Sequence, residues 1–85
     1  MLPSKDDFYN ELCLEIAFYC EMLIPENKSQ YLIKDDNKFI GIELDNKSKY
    51  GITILFESYV APLEVLTIDT LYDLYEILKA EYETN

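Results

Sequence analysis

From Phe8 to Leu23 the apolar residues recur at helical spacing. At 100° per residue, Phe8, Tyr9, Leu12, Cys13, Ile16, Tyr19, Cys20 and Leu23 fall on one broad face, which predicts a core-facing side. Asp7, Glu11, Glu15 and Glu21 take the opposite face. Leu14, Phe18 and Met22 fall there too, spaced i, i+4, i+8. Ser4 is placed to cap the helix, and Asp6 and Asp7 suit the positive end of its dipole. Pro25 sets the far limit, so the helix is expected over residues 5–23.

Beyond the Pro25–Ser29 loop the period changes to two. Gln30–Lys34 reads as a strand, and Asp35-Asp36-Asn37 as a turn. Lys38–Leu44 follows, with Ile40, Ile42 and Leu44 alternating against Phe39, Gly41 and Glu43. A polar loop at Asp45–Lys49 leads to a third strand over Tyr50–Glu57, with Ile52, Ile54 and Phe56 inward. Within Ser58–Leu66, Pro62 argues against a regular central strand, leaving Val65–Thr67 as a short edge piece. A second helix, capped by Thr67 or Asp69, carries the stripe Ile68, Leu71, Leu74, Tyr75, Leu78 and Tyr82 and ends near Tyr82. The expected architecture is α+β in the order α-β-β-β-α. It is a three-stranded antiparallel meander with two helices packed on one face, in a single domain spanning residues 1–85.

Charge changes the picture most. Seventeen Asp and Glu stand against seven Lys, with no Arg or His, for a net charge of −10. Affinity for phosphate comes from clustered cations, so neither direct nucleic-acid binding nor docking on anionic membrane is expected. A basic protein partner is favoured instead. Eight Tyr and four Phe separate the chain from disordered acidic tails. The start, MLPSKDDFYN, lacks the layout of a signal peptide, and no run reaches the length of a membrane span, so a cytoplasmic location is expected. Two sequons, at Asn27 and Asn46, then read as polar turns. Cys13 and Cys20, two helical turns apart, stand about 10 Å apart along the axis, too far for a disulfide, and are expected as buried thiols. The abundance of Lys, Asn, Ile and Tyr fits an AT-rich coding sequence.

Catalytic constellations are missing from the sequence. Without His there is no imidazole base and no His metal ligand. Gly41 and Gly51 are the only glycines, so no phosphate-cradling loop can form. The run from Asp35 departs from a calcium loop at its sixth and twelfth positions, where Ile40 and Asn46 stand. No catalytic, cofactor-binding or metal-ligating residue is assigned, and the chain reads as a binding protein.

Two features mark a candidate binding surface. Asp7, Glu11 and Glu15 repeat at i, i+4, a spacing at which like charges repel by a few tenths of a kcal/mol. On the last helix Asp69, Asp73, Glu76, Glu81 and Glu83 are expected outward, with Lys79 alone able to pair. Leu14, Phe18 and Met22 form an apolar ridge inside the first acidic face. The residues expected to contact a partner are Asp7, Glu11, Leu14, Glu15, Phe18, Asp73 and Glu76. The same ridge also suits a homodimer seam. Tyr9 and Tyr19 are expected in the core, and Tyr31, Tyr50 and Tyr59, near strand ends, at the surface.

The order α-β-β-β-α resembles the double-stranded-RNA-binding domain, but Thr67-Ile68-Asp69-Thr70 stands where that family carries lysines, so RNA binding is not implied. In size, charge, layout and lack of a catalytic constellation the chain is similar to small acidic phage-encoded inhibitors of the anti-CRISPR and DNA-mimic type. That resemblance rests on no motif. It implies occlusion of a basic nucleic-acid-binding site on a host defence protein, such as a CRISPR effector. A bacterial immunity protein or antitoxin facing a basic toxin shares this charge logic. A homo-oligomeric regulatory or structural module would need only the ridge.

Overall fold

The computed structural model describes residues 5–84. Helix α1 spans Lys5–Leu23, as the spacing predicts, while Ser4, its expected cap, lies outside the described residues. Ile24 extends the hydrogen bonding of α1 by donating its N–H to the Cys20 carbonyl at 2.9 Å, and Pro25 ends it. Strands β1 (Gln30–Asp35), β2 (Lys38–Leu44), β3 (Ile52–Leu55) and β4 (Val60–Pro62) pair antiparallel in sequence order. A 3-10 turn at Leu63–Val65 leads to helix α2, Ile68–Thr84. The cap of α2 is Thr67, whose Oγ1 accepts the Thr70 N–H at 3.2 Å.

The sheet has four strands where the sequence pattern predicts three. Val60–Pro62 forms the extra one, while Val65 sits in the 3-10 turn and not in an edge strand. Pro62 is tolerated because β4 is the sheet edge, where a missing N–H need not break a ladder. The third strand is shorter than expected because Ser48 and Gly51 close a tight loop. The Asp45 N–H donates to the Gly51 carbonyl at 2.8 Å, and Gly51 takes a φ of 77° that a side chain would resist. In the β1–β2 turn Asp36 holds the left-handed conformation, at φ 56°.

Both helices lie on one face of this sheet. Leu12, Cys13, Ile16 and Cys20 of α1 and Leu71, Leu74 and Leu78 of α2 join Ile33, Ile42, Ile52 and Ile54 in one continuous core. Burying each such aliphatic side chain contributes about 1.5–3 kcal/mol before entropy is subtracted. Phe8 lies beside Tyr72 near the helix starts, and Phe18 beside Tyr82 near their ends, so the helices run in the same direction. The Tyr9 hydroxyl, 2.6 Å from the Leu66 carbonyl oxygen and 3.1 Å from that of Leu63, ties α1 to the 3-10 turn. Tyr50 donates to Asn10 Oδ1 at 2.7 Å and holds the β2–β3 loop against the same helix.

Candidate functional site

The outer surface of the helical layer is both acidic and apolar. On α1, Asp7, Glu11 and Glu15 are exposed. So is the ridge among them: Leu14, Phe18 and Met22 keep 53, 52 and 54% of their surface open to solvent. Helical geometry places the ridge: the core takes Leu12, Cys13, Ile16, Ala17 and Cys20, and residues 14, 18 and 22 point away from the centre of that face.

Aromatic rings close the seam between the helices. Phe8, expected in the core, is instead exposed and packs on Tyr72 at a centroid distance of 5.8 Å. Tyr19 is half-buried and lies 5.9 Å from Tyr75 and 5.4 Å from Tyr82. Between the helices a groove of about 260 Å³ is lined by Phe8, Glu11, Leu12, Glu15, Tyr72 and Tyr75. Glu15 also borders a second depression, shared with Leu14, Phe18 and Tyr19. Lys79, half-buried, places its Nζ 5.8 Å from the Tyr75 ring centroid and puts one cation on α2.

Four of the expected contact residues therefore converge. Glu11, Leu14, Glu15 and Phe18 share one surface on α1, with Asp7 exposed one turn earlier. On α2, Glu76 and Asp73 are exposed, but Asp73 lines a different depression, of about 320 Å³, with Lys38, Phe39, Tyr59 and Thr70. Glu81 departs from expectation. It is half-buried and accepts a hydrogen bond from the Tyr31 hydroxyl at 3.1 Å, which removes it from the outward row. Tyr31 and Tyr50 likewise pack against the core, while Tyr59 is exposed. The surface rings of Tyr72 and Tyr82 were missing from the expected site. Tyr72 had a visible signal, since it falls off the Leu71, Leu74, Leu78 stripe.

Chemistry elsewhere is quiet. Both thiols are free and buried. Burial pushes Cys13 up to about 11 and Cys20 up to about 12, so neither is a thiolate at neutral pH. Among the described residues no group of three or more acids and thiols is arranged to hold a metal ion. No described helix is long and apolar enough to cross a membrane. Comparison with protein-family models, curated proteins and solved structures returns no match.

Proposed function

We propose that this chain is a protein-binding inhibitor whose helical face docks on the basic, nucleic-acid-binding surface of another protein and occludes it. The observation that carries the reading is the placement of Phe18 and Leu14, each about half open to solvent, directly beside Glu15 and the Glu11 groove. Apolar side chains desolvated at the centre of a contact supply most of its residence time. Carboxylates around them steer a cationic partner and select against acidic ones.

Within this mechanism the carboxylates of Asp7, Glu11, Glu15 and Glu76 stand in for the phosphates that the partner's Lys and Arg side chains would hold. Asp73, on the other flank of α2, extends the negative potential without entering the groove. The net charge of −10 works at long range, and the ridge works at contact. A host defence protein such as a CRISPR effector is the partner class suggested by the resemblance to phage-encoded inhibitors. Self-association through the ridge is the weaker reading, because it would bring the acids of two α1 helices face to face.

The test begins with the partner retained by immobilised chain from host extract, then purified. Fluorescent duplex DNA bound to that partner is titrated with this protein at low and at high salt. The proposal expects displacement of the duplex, with apparent affinity falling as salt rises. Salt-insensitive binding, or a partner without a basic nucleic-acid site, overturns it.

A further inference from the structure

No described helix covers the second face of the sheet, and its central row is apolar. Antiparallel register brings Leu32, Gly41, Leu55 and Val60 into one row across all four strands. Leu32 and Val60 remain 63 and 62% exposed, and Phe39 in the next row 48%. Gly41 gives the row its flatness. A Cβ there would stand 2.9 Å from Leu55 Cδ1, so the Leu55 side chain lies across the glycine and fills the gap.

Charge selects what fits this face. By strand alternation Lys34 and Glu43 point outward on it beside the apolar row, while Thr53, on the same side, is buried against Asp45. Along the strands Lys34 and Glu43 cancel, and Asp45, whose Oδ2 accepts from Thr53 Oγ1 at 2.8 Å, adds one negative charge at the Glu43 margin, a small share of the net charge of −10. A basic partner is drawn to the acidic helices instead. Two copies of so acidic a chain repel less across this face than across the helical layers. The face is also complementary to itself. Lys34 flanks the apolar row on one side and Glu43 on the other, four positions along β2 from the residue that Lys34 opposes. That separation is about 13 Å within one chain, too far for an internal ion pair. A two-fold axis along the row lays the row on its own copy and swings each Lys34 toward the Glu43 side of the other copy.

We propose that a second copy of this chain packs on the open sheet face, Leu32–Leu55–Val60 against its own counterpart, with Lys34 and Glu43 pairing between copies. The strands carry six, seven, four and three residues, which at ~3.3 Å per residue and ~4.8 Å between strands give a plan area of roughly 300 Å² per copy. That is well below the ~800 Å² per partner of stable complexes, so the dimer is a weak one, populated only at high protein concentration. Both acidic helical layers then face outward, and the dimer stands whether or not those layers bind a partner.

Sedimentation velocity over a concentration series tests it, with circular dichroism verifying each fold. The native chain is expected to pass from monomer to dimer as concentration rises. Leu32→Lys and, independently, Val60→Lys are expected to remain monomeric, although each lowers the net negative charge. Glu43→Lys alone also relieves overall repulsion, yet is expected to weaken the dimer about tenfold, because it sets Lys against Lys. The swap Lys34→Glu with Glu43→Lys, which leaves net charge unchanged, is expected to restore it. A native chain that stays monomeric throughout, a dimer indifferent to the two Lys substitutions, or a dimer abolished only by Phe18→Asp overturns the proposal.

Discussion

The Phe18 ring meets Tyr82 edge-on across the two helices, at a centroid distance of 6.4 Å and an interplanar angle of 66°. Phe18 packs on the rings of Tyr19 and Tyr82 yet remains half open. Such a side chain is poised to gain burial from a partner. Phe18→Ala should therefore lower folding stability by less than about 1 kcal/mol, measured by urea denaturation. The same change should weaken partner binding by about 2 kcal/mol, or roughly thirtyfold, measured by calorimetry. A variant that loses stability while binding unchanged would place Phe18 in the core's service, not the interface's.

Asp45 organises the β2–β3 loop. Its Oδ2 accepts from Thr53 Oγ1 at 2.8 Å and its Oδ1 from the Lys47 N–H at 3.0 Å. The Thr53 bond first, then the Lys47 N–H, hold its carboxyl below the ordinary value of 3.8. A depressed folded-state value means stability that is complete above the unfolded carboxylate range and lost as pH falls through the folded one. Asp45→Asn keeps one acceptor and loses the other. Its melting temperature should fall below that of the native chain at neutral pH, with the gap closing below about pH 4. A gap of equal size at every pH would show that the carboxylate charge is immaterial.

Cys13 and Cys20 should resist alkylation in the folded protein at neutral pH. Both are fully buried, and both thiols are held well above their usual range by that burial. Iodoacetamide followed by intact-mass spectrometry should find no adduct on the native chain and two after denaturation in guanidinium. Fast labelling of Cys13 without denaturant would reveal local opening of the first half of α1.

Much of the fold was legible where local signals agreed. Pro25, the 3.6 period and the acidic first turn point to one α1, and the alternation from Lys38 to Leu44 sets β2 to the residue. Pro62 misled because proline's meaning depends on position: it forbids a central strand but is harmless at the edge, and only the pairing shows which applies. The exposure of Leu14, Phe18 and Met22 could not be read from α1 alone. Apolar residues point in nearly every direction on that helix, so the side left open depends on where the sheet and α2 sit. Phe8 was misplaced for the same reason. Glu81 looked like one more surface acid, and only the fold brings Tyr31 within reach of it. The row on the open sheet face was hidden because it joins residues from four strands, and the fourth strand was not expected.

The decisive measurement compares the native chain with a variant carrying Asp7→Asn, Glu11→Gln, Glu15→Gln, Asp73→Asn and Glu76→Gln in the duplex-displacement titration. These side chains are all exposed, so the fold should survive and the shape of the surface should scarcely change. The account predicts that the variant displaces DNA at least about tenfold less well, with a shallower dependence on salt. Equal potency of the two proteins at every salt concentration would contradict it.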